Sequence, residues 1–287
     1  MTQSLLMTGA TGNLGSMVAR QLLAHNHGFR LLTRDPEKAT SIQSHLVDIV
    51  QGDMGNVDSL GGVFSGIQTL FLCTPSQPQQ VELECNLVDM AQKCGVRHIV
   101  KMSSFGADTS SSMTMGQWHG KIEQHILRKR IPFTFLRPNF LMQNTLMFAQ
   151  SIKAADTFFI PLKTGRVSMV DLIDVSFACM RVLTTPGHEN KIYHFTGPEA
   201  LSYTEVAQKL SLLLGKDVQY ASIASDVAAD AMMEAGVPHW LCENLKELYS
   251  YLAEGKSQAI TSHLSEVTNM TPRTYDDFLK DHRQFFL

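Results

Sequence analysis

Through the first half of the chain, short apolar runs alternate with stretches in which apolar positions recur at helical spacing. The run through Leu5-Leu6-Met7, then Gly28–Thr33, Leu46–Asp53, Thr69–Cys73, Arg97–Met102 and Phe133–Leu136 read as six strands. Between them, Met17, Val18, Leu22 and Leu23 mark one helix, and Val57–Phe64 is a second, short one. Gln79–Cys94, stopped by Gly95, and Met115–Arg128 complete the set. Strands with near-continuous apolar character alternating with helices predict an α/β fold: a Rossmann-type, doubly wound parallel sheet with its strand C-termini along one edge. Past Arg137-Pro138-Asn139-Phe140 the rhythm changes. Val167–Val170 and Ile192–Phe195 read as strands and Asp171–Leu183 as a helix. Helical patterns then run from Tyr203 to the end, punctuated by Gly215, Gly236-Val237-Pro238 and Thr271-Pro272. The expected division is a domain built on this sheet over 1–140, with segments around 165–195 contributing, and a smaller, partly interwoven α+β domain over 141–287.

The junction of the first strand and helix carries the clearest chemistry, Gly9-Ala10-Thr11-Gly12-Asn13-Leu14-Gly15. Gly9 suits a sharp turn, Gly12 lets the backbone approach a phosphate, and Gly15 allows the helix to pack on the strand. The helix N-terminus offers free N–H groups and positive dipole charge to a pyrophosphate. Thr11, Asn13 and Leu14 lie on the same loop. The second strand ends at Arg34-Asp35-Pro36-Glu37-Lys38. A guanidinium and a second cation suit a 2′-phosphate, so Arg34 and Lys38 favour NADP(H); Asp35 can serve a ribose hydroxyl instead, which leaves NAD(H) possible.

Composition narrows the setting. A chain of 287 residues that is 44% hydrophobic and carries a net charge of −3 can bury an ample core, and it has no basic run for nucleic acid. The five cysteines are scattered and the eleven histidines show no metal spacing, so no metal is expected. Met1 to Ser4 leads directly into a strand and no apolar run reaches membrane-span length, which together predict a cytoplasmic protein.

TGATGNLG, the RDPEK after strand two, Gly52-Asp53, the WHGK at Trp118–Lys121 and the RPNFLMQN at Arg137–Asn144 resemble the NmrA-like branch of the atypical short-chain dehydrogenase/reductases. Members of that branch include NADPH-dependent reductases of quinones and triphenylmethane dyes, as well as dinucleotide-binding redox sensors that regulate other proteins. The wider superfamily reduces carbonyls with a tyrosine four residues before a lysine. The resemblance places Lys121 at the lysine position, where it holds the nicotinamide ribose, but Gln117 stands where the tyrosine would be. The first tyrosine of the chain is Tyr193. An amide has no proton to give near neutral pH. What remains is hydride transfer to an acceptor electrophilic enough to need no protein acid, such as a quinone or a cationic dye.

Around that lysine, His119 is a proton-donor candidate, and Ser103 and Ser104 end strand five where the superfamily keeps a substrate serine. Cys73, Thr74 and Pro75 end strand four and should border the pyrophosphate or adjoining ribose. Pro138, Asn139 and Phe140 end strand six and should border the nicotinamide. The resemblance implies an adenine contact for Asp53, which can equally cap a turn. Phe140, Met142, Phe148, Phe158 and Phe159 are either an apolar substrate wall or interdomain core. Two functions follow: an NADP(H)-dependent reductase of a quinone-like or other aromatic acceptor, or an NADP(H)-sensing regulator with a protein partner. The chain is expected to be a monomer or homodimer.

Overall fold

The structure, a computed structural model, describes residues 4–287. The chain runs β1 (Leu5–Met7), α1 (Asn13–Ala24), β2 (Phe29–Thr33), β3 (Val47–Gln51), β4 (Thr69–Leu72), α2 (Gln80–Lys93), β5 (His98–Met102), α3 (Thr114–Lys129) and β6 (Phe133–Pro138). It continues with α4 (Ala149–Ala155), β7 (Thr157–Phe159), β8 (Arg166–Val167), α5 (Leu172–Thr184), β9 (Lys191–Phe195) and β10 (Leu201–Ser202). α6 (Tyr203–Leu214), β11 (Gln219–Ala221), α7 (Ser225–Glu234), α8 (His239–Ala253), α9 (His263–Thr268) and α10 (Tyr275–Asp281) follow. The segment expected as a helix over Val57–Phe64 is a single 3-10 turn, Val57–Leu60.

Seven strands form one sheet in the order β3-β2-β1-β4-β5-β6-β9. Leu6 pairs with both Arg30 and Leu70, both in parallel register, so β1 sits at the point where the strand order turns back. That reversal is the ligand crevice of a doubly wound sheet. The strands form because their side chains are apolar on both faces: Leu6, Leu70, Leu72, Ile99 and Phe135 share one buried cluster with Leu87 and Val88 of α2 and Ile122 and Ile126 of α3. α1 buries Gly15, Val18, Ala19 and Leu22, the stripe that a 3.6-residue period gives.

The chain divides into two compact units. The first holds the chain up to Ser111, with Gly116–Arg137 and Val175–Tyr193; the second holds Ser112–Met115, Pro138–Asp174 and His194–Leu287. In the second unit β7 pairs in parallel with β11 and β8 antiparallel with β10. Of these strands, the sequence pattern pointed only to the place of β8, as Val167–Val170, which forms just two residues of strand. The region from Tyr203 onward was expected to be helical throughout and instead contains β11. The core of this unit gathers Met142, Phe148, Phe158, Tyr203, Leu252, Tyr275 and Phe278. Capping boxes at Ser202/Glu205 and Thr274/Asp277 start α6 and α10. Among the described residues no helix is long and apolar enough to cross a membrane.

Candidate functional site: the loop edge of the first unit

Gly9 has a φ of +70°, and a Cβ there would fall 2.3 Å from the carbonyl oxygen of Cys73. A Cβ on Gly15 would fall 2.1 Å from the oxygen of Gly9. Both glycines are dictated by the packing of β1, β4 and α1 against one another. Thr8 fixes the same junction: its Oγ1 donates to Cys73 O at 2.9 Å and accepts from Cys73 N at 2.9 Å. Gly12 is different. Its φ is −88°, and a Cβ there would meet only the Gly9 oxygen, at an ordinary 3.4 Å. The fold does not demand a glycine at Gly12, the N-cap of α1.

That N-cap has no side-chain partner, the first turn of α1 holds no acid, and Thr11, Gly12 and Asn13 are exposed. The unpaired N–H groups of the first turn therefore face solvent with the positive end of the dipole behind them. The residues present fit a dinucleotide pyrophosphate.

At the end of β2 the exposed Arg34 guanidinium has no partner among the described residues; only its carbonyl is used, accepting from Gln51 Nε2 at 3.1 Å. Asp35 caps the turn that follows, accepting from Glu37 N at 3.2 Å, and lies 3.5 Å from Lys38 Nζ. Lys38 is largely solvated on that turn. Asp53 takes the turn role as well, accepting from Gly55 N at 2.9 Å.

Beneath the edge lies a buried polar network that the sequence reading passed over. Lys101, in the middle of β5, and Glu84, in α2, are fully buried, with Nζ and Oε2 2.7 Å apart. Glu84 Oε1 accepts from Thr74 Oγ1 at 2.6 Å and from Gln80 Nε2 at 2.9 Å. Lys101 Nζ also donates to Met102 O at 2.7 Å and reaches His119 Nδ1 at 3.2 Å. Since an ammonium only donates, Nδ1 accepts and the ring proton sits on Nε2. Burial first, then the Lys101 and Arg137 charges, hold His119 well below the usual imidazole range. His119 is thus a neutral, buried ring, not an exposed acid poised near neutrality. Cys73, whose thiol is pushed up to about 12 by burial, stays protonated. A lone cation within Ile99-Val100-Lys101-Met102 was the available signal for the network.

Ser103 Oγ donates to Glu123 Oε1 at 2.6 Å, and Glu123 is held by both Nε and Nη2 of Arg137. The Ser103 proton is therefore committed to α3, leaving its oxygen as an acceptor. Ser104 is half-buried, its hydroxyl has no partner among the described residues, and Pro75 is exposed. Lys121 is exposed on α3, and its ammonium has no partner among the described residues. Gln117, one turn earlier, donates to Ser111 O at 2.8 Å. The loop before α3 lies tight on the helix, because a Cβ on Gly116 would meet Gly106 O at 2.8 Å and one on Gly120 would meet Thr109 N at 2.5 Å. This i, i+4 glycine pair was in plain view in the sequence but passed unread. Tyr193, the first phenol of the chain, falls in this unit and lies 2.9 Å from His188 Nδ1.

Pro138, Asn139 and Phe140 belong to the second unit. Asn139 is buried and spends its amide there: Nδ2 donates to Ser168 Oγ and Ser257 O, and Oδ1 accepts from Phe140 N and Ser257 Oγ. Its side chain has little left to offer a ligand. Met142 and Phe158 are fully buried and Phe140 packs against the same cluster, so these three are core, not a substrate wall. Phe148 and the half-exposed Phe159 line a cavity of the second unit. Among the described residues no group of three His, Cys, Asp or Glu side chains could hold a metal ion.

Sheet order, crevice and phosphate cradle together define a dinucleotide-binding α/β protein. The NmrA-like family matches residues 1–279, and the chain belongs to that family. It is 35% identical over 282 residues to an NAD(P)H azoreductase of Xenophilus azovorans, covering 98% of this chain and 99% of the relative. It is 28% identical over 244 residues to quinone oxidoreductase 2 of Escherichia coli (strain K12), covering 84% and 85%. The crystal structure of a Citrobacter sp. triphenylmethane reductase complexed with NADP(H) superimposes with a TM-score of 0.87 at 25% identity, over 97% of this chain and 99% of that one.

Proposed function

We propose that the protein is an NADP(H)-dependent reductase of quinone-like or other electrophilic aromatic acceptors that works without a catalytic tyrosine. The observation that carries this reading is a phosphate cradle with an uncommitted Arg34 beside it, in a chain with a full-length likeness to an NAD(P)H azoreductase. Gly12 and the first turn of α1 hold the pyrophosphate, Arg34 the 2′-phosphate and Lys121 the nicotinamide ribose. When bound, the reduced nicotinamide supplies a hydride. The residues of the chain then have little proton chemistry to do. Gln117 is an amide, His119 is a buried neutral ring, and the Ser103 hydroxyl already donates its hydrogen bond to Glu123. The acceptor takes two electrons and one hydrogen nucleus, and the negative charge left on a quinone oxygen is neutralised by a proton from water. Positioning and charge are the protein's contribution.

The test is NADPH oxidation across a panel of quinones, azo dyes and triarylmethane dyes. Turnover that is lost in Lys121→Ala supports the reading. Tight NADPH binding with no oxidation across the panel overturns it in favour of an NADP(H)-sensing regulator.

A further inference from the structure

The second unit contains a cavity of about 340 Å³ under α7, within the range of roughly 300–1,000 Å³ usual for small-molecule sites. Its mouth carries Met147 and Phe159, 58% and 51% exposed, two large apolar side chains held in water. Phe148 and Met232 line the interior, and Ala228 and Ala231 of α7 leave the room. Aromatic faces with adaptable thioethers suit a flat, conjugated molecule.

One polar group breaks this apolar wall. Tyr249 of α8 is 4% exposed and lines the cavity. Its hydroxyl has no hydrogen-bond partner among the described residues, whereas those of Tyr220 and Tyr275 do. Nor is it one of the polar atoms sealed from solvent without a partner. The hydroxyl is therefore within reach of solvent, and Tyr249 is one of the residues that line this cavity. Burial pushes the phenol up from its ordinary range, so it is a protonated donor at neutral pH.

We propose that this cavity binds the aromatic acceptor, with Tyr249 donating a hydrogen bond to the acceptor's carbonyl or other polar substituent. The proposal rests on the reductase reading in taking the ligand to be the substrate. It identifies the class as flat, apolar aromatics with one hydrogen-bond acceptor near an edge, and it gives the second unit a specificity-determining phenol.

The experiment uses the full chain and 2-methyl-1,4-naphthoquinone as the probe, with binding measured by calorimetry and KM from NADPH oxidation. Tyr249→Phe keeps the ring and removes the donor; quinone binding should weaken about fivefold, with NADPH binding unchanged. Ala228→Phe fills the cavity and should weaken the quinone more than tenfold. Quinone binding without NADPH oxidation, lost in the variants, supports the site while defeating the reductase reading. NADPH oxidation with KM unchanged in both variants overturns the site and leaves the reductase reading standing. Failure of the wild-type chain to bind the quinone also overturns the site.

Discussion

Gly9, Gly12 and Gly15 share one loop but answer to different demands. Gly9 and Gly15 are fixed by neighbouring backbone within 2.3 Å of where a Cβ would sit, whereas a Cβ on Gly12 would meet only the Gly9 oxygen, at 3.4 Å, among the described residues. Gly15→Ala should therefore cost stability, at least the 1–3 kcal/mol typical of overpacking, seen as a lower urea midpoint. Gly12→Ala should keep stability within about 1 kcal/mol yet weaken NADPH roughly tenfold or more, since its Cβ would occupy phosphate space. Equal effects of the two substitutions on stability would remove the argument from Gly12. Arg34 makes a separate prediction. Fluorescence titration of Arg34→Ala should show NADPH weakened about tenfold or more and NADH nearly unchanged, because only one of them carries the phosphate that a charged hydrogen bond can grip. Equal losses for both would dismiss the 2′-phosphate role.

At the scale of elements, β5, α2 and the end of β4 are joined by Lys101, Glu84 and Thr74. Removing one member leaves a buried charge alone, so Lys101→Met should destabilise by about 3–5 kcal/mol. Lys101→Met with Glu84→Leu should recover much of that in urea unfolding. If the double variant were no better than the single, the ion pair would not be what sets the cost. The six strands of the first unit were legible because both faces of a parallel strand are apolar, and the cradle was legible because three glycines mark it. Lys101 was read as a strand residue, since a single sequence does not disclose that Glu84 faces it from another element. β7 and β11 escaped notice for a different reason. Each is three residues long, and they pair across some sixty positions of sequence, too short for a period-two signal.

For the molecule as a whole, Asp174 links stability to pH. Burial, opposed by Arg273, raises its carboxyl from 3.8 to about 6, while its Oδ2 accepts from Arg273 N at 2.7 Å. The folded chain holds this proton more tightly than the unfolded chain does. The stability it contributes is fully present below about pH 4 and is lost as pH rises through about 6. Asp174→Asn, which keeps the acceptor, should lack that slope, so the variant should gain on the wild type between pH 4 and 6 in thermal or urea midpoints. A constant difference across the range would contradict the assignment. The central claim is that the hydride moves without a proton passing from any side chain in the same step. Single-turnover oxidation of NADPH carrying deuterium at the transferred position, with 2-methyl-1,4-naphthoquinone as acceptor, measures this directly. The account predicts a slower rate with the deuterated cofactor, and almost none of that slowing when the solvent is changed to heavy water or the pH is moved between 5 and 8. A large solvent isotope effect, or a rate that titrates with one ionising group, would contradict it.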